Sequence, residues 1–413
     1  MRIFNKLGAA IGGMLEWYDF AIYAYFSIAI SNAFFPHSIQ PYLRLIYTYG
    51  IFAITYLVRP LGALIFGYIA DRYGRRVVLR ITPIVISLAS VAIAILPDYS
   101  KIGVLASLGL ILARVIQGLC LGGDFCGSIV YLVESSKKRK FLHGSFGSCI
   151  GSCGILLASI ISTGIYNGLG DVAANNYGWR IAFGFSLLFG IIIYLLRRNL
   201  SETEEYIACK TEKTKSVQKF YWKNITLGTL IIAIHAATFY YFFVFLPSFI
   251  VRTTGATEKA ALIHNSFFLL VHIAFIPIFG WLSDKFNGRN ILIINYVILL
   301  LIMYPLITNI NLADGKFTFL LWIASILTAV NAGVIPTLIS SLFSTESRCL
   351  NFGLSFNLGF SIFGGITPVL CLWLFQKTGN HVSIVVYLIT LVLLSLFAVL
   401  IAGGKNERRR KLL

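Results

Sequence analysis

The sequence predicts an all-α integral membrane protein of twelve transmembrane helices in two pseudo-symmetric six-helix bundles. Three observations predict it. Only 12% of the 413 residues are charged and 58% are hydrophobic, too little polar surface for a soluble protein of this length. Twelve mostly apolar stretches reach the roughly 20 residues that a spanning helix needs. Two short motifs then recur in the same order at nearly the same offset, the mark of a duplicated unit.

The stretches cover 9–35, 45–70, 77–96, 102–133, 143–166, 180–197, 224–250, 260–282, 290–309, 317–342, 350–376 and 382–402. The opening "MRIFNKLGAAIGGML" has the basic start and apolar run of a signal peptide. The run continues past Glu16 to Phe35 with no small-residue cleavage site, so it reads as a retained first span. Connections are short except for the polar, charged segment 198–223. The expected organisation is an N-terminal bundle over 1–198, a linker over 199–223, and a C-terminal bundle over 224–413 that ends in a short basic tail.

The net charge of +18 would suggest nucleic acid in a soluble protein, but its placement excludes that reading. Of the 34 Lys and Arg, 25 fall on the side of the N-terminus, 7 on the opposite side and 2 within spans. By the positive-inside rule both termini and the linker face the cytoplasm, in a cell (inner) membrane. The seven cysteines form no CxxC pair and no Cys/His cluster at metal-ligand spacing, so no metal is expected and the thiols read as reduced packing residues. Cys149 and Cys153 share a helix face and read as packing residues too. There is no nucleotide-binding G-x-x-x-x-G-K-[ST] loop, no HExxH and no GxSxG, hence no expected cofactor and no enzyme.

The repeated motifs are "GYIADRYGRR" (67–76) after the second span and "GWLSDKFNGRN" (280–290) after the eighth; Asp71 and Asp284 are 213 residues apart. "VESS" ends the fourth span and "TESR" the tenth; Glu134 and Glu346 are 212 apart. Gly67 suits close helix packing, and Gly74 a tight left-handed turn. Asp71 stands at a helix C-terminus, where a carboxylate opposes the dipole unless a basic group meets it. Arg72, Arg75 and Arg76 are the candidate partners, and they can also reach Glu134. The expectation is a charged latch of Gly67, Asp71, Arg72, Gly74, Arg75 and Glu134, with Asp284, Arg289, Glu346 and Arg348 as its second copy. Arg76 reads as a simple anchor.

G-x-x-x-D-R-x-G-R-R after the second span resembles the signature loop of the major facilitator superfamily. "LEWYDF" (15–20), "YLVRPLG" (56–62), "RVIQGLCLGGD" (114–124), "YGWRIAF" (177–183), "RRNLSETEEY" (197–206) and "FNLGFSIFGGITP" (356–368) are similar to the metabolite:proton symporter family, which includes proline/betaine, α-ketoglutarate, citrate and shikimate transporters. Three departures stand out. Asp124 replaces the usual Glu, Asn287 and Gly288 alter the second loop, and Asn351 stands where Gly is common.

A charge inside a span is expensive and marks function or a partner. At about 1.5 Å per helical residue, Asp19, Arg59 and Asp124 all lie roughly 15 Å from the inner surface. Glu16 is one turn below Asp19 on the same face, and Arg114 lies nearer the outer side. Two readings follow. One is a proton-and-substrate network of Glu16, Asp19, Arg59, Arg114 and Asp124; the other is a static bridge, chiefly Asp19–Arg59, that fixes helices. Trp17, Tyr18, Tyr23, Tyr25 and Phe26 offer aromatic faces to a quaternary ammonium, and intramembrane Arg suits a carboxylate. His235, His264 and His272 read as helix contacts. Gly147 and Gly151 stand in GxxxG register, for close helix approach.

The resemblance and these residues together imply a monomeric secondary transporter. It would work by alternating access around a central site, with a small-molecule substrate and protons as its partners in the lipid bilayer. Its cargo would be a small polar metabolite, either a proline/betaine-type osmolyte or a small carboxylate. An exporter or antiporter on the same scaffold is the alternative, ahead of a non-transporting receptor.

Overall fold

The computed structural model describes residues 2–212, 219–246, 249–250, 258–308 and 315–410, and no strand occurs among them. The helices of the first half are α1 (Arg2–Tyr25), α2 (Ser27–Phe34), α3 (Pro41–Tyr73), α4 (Arg75–Ile95), the single turn α5 (Tyr99–Ile102), α6 (Val104–Glu134), α7 (Lys140–Ala173), α8 (Trp179–Arg197) and the short α9 (Glu204–Glu212). The second half has α10 (Trp222–Tyr240), α11 (Glu258–Phe286), α12 (Gly288–Thr308), α13 (Gly315–Ser340), α14 (Arg348–Gly359), α15 (Thr367–Thr378) and α16 (Val382–Arg410).

Ten stretches among the described residues are long and apolar enough to cross a membrane. One of them, Lys140–Arg197, holds both the fifth and the sixth expected span, joined through a π turn at Ala174–Gly178. The expected first span is α1 with α2, broken at Phe26; it stands outside the ten and carries Glu16 and Asp19. The twelve expected segments are therefore helical over most of their described length, with breaks such as Phe26 and Gly365–Ile366.

The lipid-facing pattern is plain on α3. Leu57, Leu61, Ile65 and Tyr68 are exposed at helical spacing, whereas Tyr56, Arg59, Ala63 and Gly67 are buried. A charged residue inside and leucines outside is the arrangement expected when the solvent is hydrocarbon.

The chain separates into two compact units, Met1–Ser135 with Ile150–Val217, and Ser136–Cys149 with Gln218–Leu413. In the first unit α3 packs on α6, α4 on α8 and α6, and α1 on α8 and α6. The second unit repeats the pairings: α11 packs on α13, α12 on α16, and α10 on α16. The duplication seen in the sequence is thus a duplication of packing.

Glycine sets the closest of these approaches. A Cβ on Gly62 would lie 2.0 Å from the Leu119 carbonyl oxygen, and one on Gly122 would lie 2.2 Å from the Arg59 carbonyl oxygen. Both obstacles are backbone, so no rotamer change relieves them. Gly122→Val is expected to force α3 and α6 apart, at a cost of at least about 1–3 kcal/mol. A fluorescence-based melting curve of the solubilised protein measures it; an unchanged melting temperature would show that the helices cross less tightly. On α1, Gly151 and Gly154 of α7 make a similar approach, to the Trp17 ring and the Met14 carbonyl oxygen.

Candidate functional site

The in-span charges of the first unit fall into three groups. Asp19 is buried and accepts hydrogen bonds from the Ser90 hydroxyl of α4 and the Ser186 hydroxyl of α8. Behind Ser90 runs a relay: Gln117 Nε2 donates to Ser90 Oγ at 2.8 Å, and Arg114 Nη1 donates to Gln117 Oε1 at 2.8 Å. Arg114 is thus the cation at the far end of the relay that reaches Asp19. The Arg114 guanidinium lies 3.8 Å from the centroid of the Tyr23 ring, and Tyr23 donates its hydroxyl to the Thr48 carbonyl at 2.9 Å.

Arg59 belongs to a second group. Its Nη2 is 3.6 Å from Glu16 Oε1, with the Trp17 and Tyr56 rings at 5.9 and 5.5 Å. The Asp19–Arg59 pairing expected from depth is therefore corrected: Arg59 meets Glu16, and Asp19 answers to Arg114. Equal depth fixes height along the membrane normal and leaves the direction around each helix axis open. On α1, three residues are enough to change the neighbouring helix.

Asp124 forms the third group, with a partner outside the expected set. Arg197, at the end of α8, is wholly buried and donates to Asp124 Oδ1 at 2.5 Å and Oδ2 at 3.3 Å. It also donates to the carbonyls of Gly8, Ala9 and Leu79 and to Ser128 Oγ. Thr82 donates to Asp124 at 2.5 Å. The clamp joins α1, α4, α6 and α8. Gly12 leaves the space for it, since a Cβ there would lie 1.9 Å from Arg197 Nη2. Arg197 closes a span, so its sequence position reads as an anchor at the membrane edge. The usable signal was the pair of glycines, Gly8 and Gly12, on one face of α1 next to an uncompensated acid.

The turn between α3 and α4 brings Asp71, Arg75 and Glu134 together. Arg75 Nη1 is 3.1 Å from Asp71 Oδ1, while its Nε and Nη2 each donate to Glu134 at 3.1 Å in a bidentate pair. All three side chains are buried. Thr203 donates to Glu134 at 2.8 Å, and the Tyr206 ring lies 4.6 Å from the Arg75 guanidinium. Gly67 is buried on the same helix, and Gly74, the single residue of the turn, has φ 111°. Arg72 does not complete the group as expected; it is exposed and donates to the Tyr68 hydroxyl.

The second copy departs from the first. Asn287 is the single turn residue between α11 and α12 and takes a left-handed φ of 66°, a conformation Asn adopts more readily than most residues with a Cβ. Asp284 accepts from the backbone N–H groups of Phe141 and Leu142 at 3.0 and 2.9 Å, capping α7, where the positive end of the helix dipole favours a carboxylate. Arg289 donates to the Leu400 carbonyl and Arg348 to the Phe343 carbonyl; Glu346 is half-buried beside Arg348 in sequence. Asn351 ties the end of the linker to α14, since its Nδ2 donates to the Lys219 carbonyl and its Oδ1 accepts from the Tyr221 N–H.

The groups differ in what they can do. Asp124 is locked by a cation that makes hydrogen bonds on every side. Asp19 is held by hydroxyls, which can donate or accept. Ser90 Oγ is also 3.0 Å from the Ile86 carbonyl. When Asp19 carries a proton, Ser90 can turn its own hydrogen to that carbonyl and accept from the acid. Both protonation states are satisfied without moving a helix.

Residues 6–227 match the family described as Sugar (and other) transporter, and residues 228–412 match the Major Facilitator Superfamily. A chain from Staphylococcus aureus (strain COL) with the provisional name proline/betaine transporter is 32% identical over 396 residues, 92% of this chain and 84% of that one. The citrate-proton symporter of Klebsiella pneumoniae is 29% identical over 390 residues, 92% and 87% of the two chains. The fold is that of the proton:xylose symporter XylE, with TM-score 0.77 and 18% identity over 98% of this chain and 95% of that one. The chain belongs to the major facilitator superfamily of secondary transporters, within its sugar (and other) transporter family, and is not an enzyme.

Proposed function

We propose that the chain takes up a small polar solute together with a proton by alternating access, and that Asp19 carries the proton. The observation that supports this most is the Ser90 hydroxyl, placed within hydrogen-bond reach of both Asp19 and the Ile86 carbonyl. It gives a buried acid two satisfied states, which a coupling residue needs and a static bridge does not. Arg114 faces the same relay, and its Nε and Nη2 are buried without a hydrogen-bond partner among the described residues. That edge of a guanidinium binds a carboxylate bidentately, so Arg114 is the group we assign to the solute's carboxylate.

The charges of this region balance, two acids (Glu16 and Asp19) against two guanidinium groups (Arg59 and Arg114). A balanced site suits a zwitterion better than a tricarboxylate, because the latter would add uncompensated negative charge away from water. The S. aureus relative's name agrees with a proline/betaine-type cargo.

In this reading both termini and the 199–223 linker are cytoplasmic, as the Lys/Arg bias supports. Residues 213–218 of that linker lie outside the described residues, as do 411–413 of the basic tail. The Arg75 group and the Asp284 cap serve as latches on that side. The functional unit is one chain.

Uptake into proteoliposomes tests the proposal, with labelled proline, betaine, α-ketoglutarate, citrate and shikimate, each with and without an imposed pH gradient. Accumulation that rises with an inward proton gradient is expected for the zwitterions. Uptake indifferent to pH and membrane potential would remove the symport reading, and an outward flux driven by an inward proton gradient would replace it with antiport.

A further inference from the structure

Two buried histidines of the second unit, His235 and His272, have no part in the uptake mechanism. His272 of α11 stands 213 residues after Arg59, the separation of Asp71 from Asp284, so it occupies in the second unit the register position of Arg59. It is fully buried, as His235 of α10 nearly is. Phe239 lies between them in contact with both rings, at 6.3 Å from His235 and 6.0 Å from His272. Phe243 is 5.0 Å from His272, and Phe360 is 5.7 Å from His235.

The tautomer of His272 follows from its neighbour. Nδ1 is 3.1 Å from Thr328 Oγ1, and Thr328 gives its one hydroxyl hydrogen to the Ser325 carbonyl at 2.9 Å. Thr328 therefore accepts, Nδ1 carries the hydrogen, and Nε2 of the neutral ring presents a lone pair. That Nε2 is buried and has no hydrogen-bond partner among the described residues; neither does Nδ1 of His235. A buried acceptor held in one orientation and left unbonded is costly, and such a group calls for a use.

We propose that His272 Nε2 accepts a hydrogen bond from an N–H or O–H group of the transported solute, with His235, Phe239 and Phe243 as the wall around that group. The proposal rests on the reading of the chain as a small-solute transporter. Nε2 is buried in this conformation, so the side chains around the ring, Phe239 and Phe243 among them, must shift on binding. Their faces favour a cationic donor, an ammonium with at least one hydrogen. Thr328 is a positioning residue, since it acts through the tautomer of His272.

The consequence is a preference that shape alone does not give. A site built to hydrogen-bond a donor discriminates strongly against the analogue that lacks it, here by about tenfold or more. Two matched probe pairs isolate the effect, with L-proline against N,N-dimethyl-L-proline for N–H, and citrate against tricarballylate for O–H. Uptake and thermal-shift binding are measured on the full chain. In the pair that is accepted, the donor-bearing member is expected to show a KM about tenfold lower. His272→Phe should erase that difference by raising only the donor-bearing member's KM, and His272→Gln should restore part of it. Thr328→Val, which keeps the imidazole and removes its orienting partner, should give a smaller loss of the same kind. These two milder variants carry the test if His272→Phe does not fold.

Equal KM values within the accepted pair, or equal shifts of both members in His272→Phe, would overturn the proposal. Binding with donor preference but no proton-driven transport would sink the uptake reading and leave this one standing. Binding of none of the four probes would overturn both.

Discussion

Replacing Arg197 by methionine is expected to be the most destructive single change in the first unit. Methionine approximates the volume of the arginine stem, so packing is largely kept and the loss is electrostatic. Six hydrogen bonds go, and Asp124 is left buried with Thr82 as its remaining donor. Stranding one partner of a buried ion pair costs about 3–5 kcal/mol, a large share of the roughly 5–15 kcal/mol that holds a domain together. The carbonyls of Gly8, Ala9 and Leu79 lose less, because they lie within helices whose own ladder bonds remain. The melting temperature of the solubilised protein is therefore expected to collapse in Arg197→Met and to recover in part in Arg197→Met/Asp124→Asn, where the stranded charge is gone. If the single variant melts normally and fails only in transport, the pair is functional machinery and not a clamp.

Asp19→Asn is expected to leave the fold and remove the coupling. Asparagine keeps the size of the side chain, and its amide still bonds to Ser90 and Ser186, but it cannot take up a proton. A one-unit pH gradient stores about 1.4 kcal/mol per proton, enough for roughly tenfold accumulation of a solute carried with one proton. In the variant that ratio should fall to one, while exchange of labelled for unlabelled solute across the membrane persists. Ser90→Ala removes the hydroxyl that serves both states, so it should slow coupled uptake while allowing accumulation to reach the same ratio. Accumulation at the normal ratio in Asp19→Asn would assign the proton to another residue. Glu16, in its looser pair with Arg59, is then the next to change.

These two acids look alike in the sequence: each lies about mid-span, and each stands among aromatic or glycine-rich neighbours. The structure separates them by what faces them. Asp124 meets a guanidinium that three carbonyls and a serine hold in place, and Asp19 meets two hydroxyls. That difference comes from residues far away in the chain, Arg197 and Ser186, on a helix whose own pattern shows only an apolar span with a basic end. The Asp71–Arg75–Glu134 cluster was more legible. Asp71, Arg75 and Glu134 were identifiable because a one-residue turn leaves few places for charges at a helix end, and because the repeat showed the same turn twice. Arg72 was misplaced because neighbours in sequence point in different directions at a helix end. The part played by Thr203 and Tyr206 was hidden in the linker that divides the halves.

The sequence by itself determined the solvent, the number and order of the helices, the duplication and the family. These depend on properties summed along one segment, its length, apolarity and turn residues, and each can be read without knowing what the segment touches. Only the tertiary structure decided which buried charges meet: Glu16 with Arg59, Asp19 with the Ser90–Gln117–Arg114 relay, Asp124 with Arg197, Asp284 with the start of α7, and His272 with Thr328. The reason is geometric. Position along a helix sets height in the membrane, but pairing depends on the rotation of each helix about its axis. That rotation is fixed by contacts such as those at Gly62 and Gly122, which belong to two helices at once.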